Sequence, residues 1–409
     1  MDRYLCLDIG TSWIKASLIS SNGEVLDMTS TAVPATLEEI YETSTALVYQ
    51  FLRRRVKCGE VTCIGVSTQM SGLVLLDQYG DTLHPFVQGV VGGTAESVRW
   101  FSEQGPGSSV TGCPLNAYAP AVKLLDFVQH SPENARRVNK VGGLKEYLLL
   151  RWTGQWVTDG TCASTTMVYD QVRRTWLEYS CFPWGTEVYP NVSLPWSVAG
   201  YFLDTETPMI VGIGDGPAAG LACGAIRPGI LSLSLGTTAV LRWSEESVVP
   251  LRDGDFRHLV DEQHFFCGRR VVGSGRAIEW AHELFGNDIS DVSVKLPTFT
   301  LLADEWMWSG VQPVTKEQML CSVYVGIFRP FLETLQEYSL IETAVEFRLI
   351  GGGAADENWR RILYQMTGIP VRSYQHVNGT IGTAVLCHMN RANVSLEEAV
   401  HMMVEKHGT

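Results

Sequence analysis

Two apolar runs that each end in a glycine followed by threonine constrain this chain more than anything else in it. The first is Leu7-Asp8-Ile9-Gly10-Thr11-Ser12, and past mid-chain it is answered by Leu233-Ser234-Leu235-Gly236-Thr237-Thr238. Each reads as a strand (residues 4–9 and 230–235) meeting a glycine that permits a tight reversal and lets a phosphate approach the backbone. Hydroxyls and backbone N–H groups then supply neutral donors. The stretches that follow, 14–19 and 239–243, are again strand-like, so the pattern is strand, turn, strand. A P-loop is excluded, because it needs Gly-Lys-Ser/Thr opening a helix. One such turn is an ordinary hairpin. A pair, one in each half, points to two related phosphate-facing turns.

At 409 residues the chain is too long for one core, and two domains of roughly 200 residues each are expected. With 45% hydrophobic and 18% charged residues and no low-complexity tract, the composition is that of a folded α/β protein. The net charge of −13 argues against nucleic-acid or anionic-membrane partners, yet backbone donors and a cation can still hold phosphates. The ten cysteines show no C-x-x-C pair, and the N-terminus enters a strand without a basic-then-apolar leader. Reduced thiols and a cytoplasmic location are expected. No run approaches the roughly 18 apolar residues of a membrane span.

Strands over 4–9, 14–19 and 25–31, with a Ser21-Asn22-Gly23 turn, predict an antiparallel meander. A helix over 37–57, a strand over 61–67 and a hairpin through Tyr79-Gly80-Asp81 follow, suggesting a mixed sheet covered by helices. Residues 123–152 read as helical, with Ser131 capping a helix opened by Pro132, and the Thr/Ser-rich 158–167 reads as loop. A polar stretch before residue 209 places a domain boundary near 207/208. The second half repeats the order of elements.

Asp215, in Gly212-Ile213-Gly214-Asp215-Gly216, sits where an apolar strand ends and a helix begins, with glycines keeping other side chains away. It is either a carboxylate facing a cleft or a helix-capping residue. A dinucleotide fingerprint fits less well, because no acid stands about 20 residues on to bind a ribose. Asp8, beside the first turn, suits a water-mediated Mg²⁺ contact. Lys15 can reach back to a phosphate, although a solvent-facing strand lysine is the commoner meaning. Leu349-Ile350-Gly351-Gly352-Gly353-Ala354-Ala355 offers a side-chain-free turn on which a flat base could lie.

In this order, the segments resemble the FGGY carbohydrate kinase family over nearly the whole chain. Gly65-Val66-Ser67-Thr68-Gln69-Met70-Ser71-Gly72, Leu150-Arg151-Trp152-Thr153-Gly154 with Thr158-Asp159, and Gly273-Ser274-Gly275-Arg276 with Glu279 add to the resemblance. It implies an α/β fold of two ribonuclease H-like domains of the actin/hexokinase/Hsp70 ATPase type with an interdomain cleft. It also implies ATP- and Mg²⁺-dependent phosphorylation of a sugar or polyol hydroxyl. Residues 1–207 would carry the acceptor and 208–409 the nucleotide. Asp215 then matches the general base, and with Asp8 it positions the metal. Gly10, Thr11, Ser12, Lys15, Gly236 and Thr237 would meet phosphates, and Gly275, Glu279, Gly352 and Gly353 would border the nucleotide. Gln69, Met70, Ser71 and Tyr118 would wall the acceptor.

The chain departs from the family at two places. The usual Trp-x-Asp-x-Arg clamp is replaced by Gly89-Val90-Val91-Gly92-Gly93, and the His that follows Gln-Met in xylulose kinases, nearest in motif style, is Ser71. A non-catalytic sugar or nucleotide sensor on the same fold is therefore the competing expectation. No residue pattern fixes the assembly, and a homodimer is compatible with it.

Overall fold

The computed structural model describes the chain except for residues 1, 54–59, 288, 290–295, 303–304, 311–314, 375–376 and 406–409. Compactness divides it into two units, neither continuous in sequence: Met1–Gly224 with Glu245–Phe266 and Asn378–Thr409, and Ala225–Ser244 with Cys267–Val377.

The first unit is organised by strands β1 (Arg3–Ile9), β2 (Trp13–Ser20), β3 (Val25–Ala32), β4 (Cys63–Thr68) and β5 (Pro208–Ile210). They lie in the order β5-β4-β1-β2-β3, with Val198–Tyr201 at the edge beyond β5. The pairs β1/β2 and β2/β3 are antiparallel, as the meander requires, while β1/β4 and β4/β5 are parallel. All six residues of β4 are buried, which its run of small and β-branched side chains allows at the centre of a covered sheet. At the edge, β3 alternates half-buried and exposed residues, and its Thr/Ser content follows from that.

The helix Leu37–Arg53 covers one face through Leu37, Ile40, Val48 and Phe51 at helical spacing. Thr36 and Glu39 close a capping box at its start. Residues 54–57 of the expected helix lie outside the described residues.

The second unit repeats the plan with β6 (Ile230–Leu235), β7 (Thr238–Glu245), β8 (Phe265–Val272), β9 (Glu346–Ile350) and β10 (Val371–Ser373). Their order β8-β7-β6-β9-β10 mirrors β3-β2-β1-β4-β5. Again the first hairpin, β6/β7, is antiparallel, and β6/β9 and β9/β10 are parallel. The expected echo of the two halves is thus one of topology. The two turns are not identical: pairing stops at Ile9↔Ile14 in the first and at Leu235↔Ala239 in the second, which is one residue tighter.

Three local expectations are corrected. The helical stretch over 123–152 is broken into Pro120–His130, Pro132–Ala135 and Leu144–Thr153, with a strand Lys140–Gly142 between the last two. Pro132 does open a helix with Ser131 at its N-cap position, but the Ser131 side chain makes no capping bond, and its N–H ends the preceding helix on the Phe127 carbonyl. The expected loop over 158–167 contains the end of a strand, Val157–Asp159, and a short helix, Gly160–Ala163, capped by Asp159. Asp159 competes successfully here because its carboxylate accepts the Thr161 N–H at 2.7 Å. All nine described cysteines are free thiols, and no described helix is long and apolar enough to cross a membrane.

Candidate active site

In the first unit, register places Asp8 opposite Lys15, two residues before Gly10. The turn closes with the Gly10 N–H on the Trp13 carbonyl at 3.0 Å and leaves Thr11 and Ser12 exposed. Asp8 accepts from the Ser67 hydroxyl at 2.8 Å across the parallel β1/β4 pair. Burial pushes its carboxyl above the usual range, while the Ser67 hydrogen bond, the Lys15 charge and the Gly379 backbone pull it back. The helix Gly379–Ala392 begins against it so closely that a Cβ on Gly379 would lie 2.6 Å from Asp8 Oδ1. Ser67 and Gly379 were not singled out from the sequence. The first is hidden in a strand and the second in an unremarkable Asn378-Gly379-Thr380 turn.

Asp215 is the first residue of the helix Asp215–Ala222, and Gly214 holds the capping position. The capping alternative for Asp215 is therefore not what the backbone does. Its Oδ1 accepts the Gly216 N–H at 2.8 Å. The short strand Ile213–Gly214 pairs in parallel with Ser67 and Thr68, so the ends of β1, β4 and this segment bring Asp8, Ser67 and Asp215 to one end of one sheet. Gly212 takes φ +75, and a Cβ there would meet the Val66 carbonyl oxygen at 2.0 Å. A Cβ on Gly214 would fall within 2.8 Å of three atoms of the Met70 side chain. Gly212 is therefore demanded by its backbone and its contact with β4, whereas Gly214 is crowded only by the flexible end of Met70.

Gln69, Met70 and Ser71 follow β4. Gln69 is buried and its amide braces two segments, donating to the Gly10 carbonyl at 3.3 Å and accepting the Gly89 N–H at 3.3 Å. Ser71 takes φ +61, and its carbonyl, with that of Gln88, receives the buried Lys123 ammonium at 2.8 and 3.0 Å. Burial lowers the Lys123 pKa to about 8. Gln69, Met70 and Ser71 line one apolar cavity with Leu73, Leu124 and Val141; Tyr118 is apart from it, its ring instead facing Gly92. Where the family carries its charged clamp, Val90 and Val91 are exposed.

In the second unit, the six residues Gly236, Thr237, Gly275, Glu279, Gly352 and Gly353 line a single pocket of about 280 Å³ with Ile278, His282 and Trp359. The helix Ser274–Phe285 starts on the β6/β7 turn, its Gly275 N–H on the Thr237 carbonyl at 3.3 Å. A Cβ on Gly275 would lie 2.5 Å from the Gly236 carbonyl oxygen, whereas a Cβ on Gly352 would meet no protein atom within 4 Å. The pocket floor is thus bare backbone open to a ligand, which suits a nucleotide's phosphates and base. The triple glycine is not a plain turn: Gly351 takes φ +89 and Gly352–Ala355 forms a 3₁₀ turn before the helix Glu357–Thr367.

Among the described residues no three His, Cys, Asp or Glu side chains cluster as a metal cage. Mg²⁺ characteristically keeps its waters and is held by one or two carboxylates plus substrate phosphates, so Asp8 and Asp215 fit it without a cage.

Residues 3–187 match the model for the FGGY family of carbohydrate kinases, N-terminal domain. Over that segment, a little under half of its length, the chain is similar to the FGGY carbohydrate kinases. It is 26% identical to the xylulose kinase of Escherichia coli K12 over 94% of this chain and 90% of that protein. It is also 24% identical to the gluconokinase of Bacillus subtilis, over 72% of this chain and 63% of that protein. Among solved structures, a xylulose kinase from Lactobacillus acidophilus superposes with a TM-score of 0.87 at 20% identity, covering 98% of this chain and 92% of that one. The two mixed sheets are those of the actin/hexokinase-like ATPase fold, as the sequence motifs implied.

Proposed function

We propose that this chain is a carbohydrate kinase of the FGGY type that transfers the γ-phosphoryl group of ATP to a hydroxyl of a sugar, ketose or polyol, with Asp215 as general base. The observation that carries this reading is Asp215 itself, a carboxylate at the start of a helix, at the same sheet end as Asp8. Asp215 takes the proton of the attacking hydroxyl. Thr11, Ser12 and Lys15 from one turn and Gly236 and Thr237 from the other offer donors to phosphate oxygens, where charge builds as the bond to ADP breaks. Gly275, Glu279, Gly352 and Gly353 border the nucleotide. Bound Mg²⁺, held by Asp8 and Asp215, would neutralise phosphate charge. In this reading residues 1–207 serve the acceptor, through Gln69, Met70, Ser71 and Tyr118, and 208–409 the nucleotide, in a cytoplasmic enzyme.

The decisive experiment is ADP release with D-xylulose, D-gluconate, glycerol and a panel of other polyols. Acceptor-dependent release is expected with at least one, falling about 10²–10⁴-fold in Asp215→Asn, the range of general-base catalysis. Equal rates in wild type and variant would remove Asp215 from the role. Tight ATP binding with no acceptor turned over would favour the sensor instead.

A further inference from the structure

Behind Asp215 lies a set of charged and polar side chains that the reaction as described does not use. Lys145, Asp159 and Thr161 are each fully buried. Lys145 and Asp159 form an ion pair with neither side chain exposed. The other Asp159 oxygen accepts both the Thr161 hydroxyl, at 2.5 Å, and the Thr161 N–H, at 2.7 Å. With its proton committed to Asp159, the Thr161 oxygen is left to accept, and it takes the Gly214 N–H at 3.1 Å. Lys145 also donates to the Gly212 carbonyl at 3.3 Å. The network therefore grips the backbone on both sides of Ile213, opposite the edge paired with β4.

We infer that Lys145, Asp159 and Thr161 are positioning residues that fix Asp215 by holding the Gly212-Ile213-Gly214 segment from behind. The inference rests on the reading of Asp215 as the base. A buried ion pair is a poor source of stability, since apolar residues of similar volume serve as well or better, so a geometric role explains this one. The grip is directional. Gly212 is anchored through its carbonyl and Gly214 through its N–H, so slippage or rotation of the segment breaks both contacts. Misplacement of a catalytic group by about 1 Å costs on the order of 10²-fold in rate.

The test uses the full-length protein with ATP and either D-xylulose or D-gluconate, whichever gives the higher kcat/KM. Thr161→Val removes the acceptor of the Gly214 N–H and should lower kcat by about 10- to 100-fold, with the KM for ATP changed less than about threefold. Thr161→Ser keeps the hydroxyl and should restore kcat. The double variant Lys145→Met with Asp159→Leu should also lose kcat, together with some melting temperature, because the buried Thr161 N–H is left without its acceptor. Hydrogen exchange gives a readout without turnover. Amides of residues 209–222 should exchange faster in Thr161→Val and at the wild-type rate in Thr161→Ser. If Thr161→Val keeps its kcat and its exchange while Asp215→Asn is inactive, the network is only packing and the inference fails alone. Loosening throughout the first unit would overturn it equally. If Asp215→Asn is as active as wild type, the reading of Asp215 is what has failed.

Discussion

Gly352→Ala separates a ligand-bearing surface from a merely glycine-rich turn. The added methyl meets no protein heavy atom within 4 Å, and Gly352, unlike Gly351 at φ +89, is not in the left-handed region. The folded protein should therefore tolerate it, and the lower entropy of the unfolded chain favours stability by roughly 0.4–1 kcal/mol. A nucleotide lying on that face would collide with the methyl. Overpacking at a fitted surface costs about 1–3 kcal/mol, so ATP affinity should fall roughly 5- to 150-fold, a tenfold loss corresponding to about 1.4 kcal/mol. Calorimetric titration with ATP and a thermal melt of the same sample measure both halves of the expectation. Gly275→Ala is the contrasting control, because its Cβ would stand 2.5 Å from the Gly236 carbonyl oxygen and the protein itself must yield. It should lose stability as well as ATP affinity. An unchanged ATP affinity in Gly352→Ala, at unchanged melting temperature, would refute the assignment of this floor to the nucleotide.

Two further perturbations probe the frame around the sites. Gly382→Ala would place a Cβ 1.9 Å from the Ala218 carbonyl oxygen, in the helix that Asp215 begins, so a stability loss of at least about 1–3 kcal/mol is expected in denaturant melts; a melt superimposable on wild type would show the two helices are not in that contact. His264 lies between Asp261 at 2.8 Å and Glu397 at 2.6 Å, and although burial alone lowers its pKa, these carboxylates raise it above 6.5. A raised folded value favours the charged form, so the stabilisation is complete below about pH 6.5 and fades as pH rises through the folded pKa. His264→Gln should accordingly destabilise more at pH 6 than at pH 8.5, and an equal loss at both would leave the ion pairs without effect.

The paired turns were legible because glycine, threonine and flanking β-branched runs are local signals, and the structure sets both at the ends of equivalent strands. Asp215 was legible for the same reason, its glycines being adjacent in sequence. The support around it was not. Lys145 lies inside a helix beside Glu146 and with Arg151 further along, and nothing local says that its ammonium meets Asp159 or the carbonyl of Gly212. Gly379 reaches Asp8 from the far end of the chain, and only the packing of a late helix on the first sheet shows why it has no side chain. Residues 158–167 were misjudged because Thr and Ser propensities for loops were outweighed by the Asp159 cap and by a fully buried setting. The split of Gln69, Met70 and Ser71 from Tyr118 also depends on tertiary packing alone.

Leu73 and Leu75 pack into a cluster with Phe101, Val122 and Phe127, while Val74 and Leu76 face the cluster around β1 and β4. The strand Val74–Leu76 pairs with Lys140–Gly142 and not with the main sheet. It acts as a bulkhead: alternation of side chains divides two compartments from each other. The segment Gly89–Gly93 is tethered at both ends, its Gly93 N–H on the Ala117 carbonyl and its Gly89 N–H on Gln69. Change on the Phe101 side therefore reaches the turn beside Asp8 through the Gln69 amide. A chain partitioned in this way can repack one compartment while a single side chain reports the change to the other.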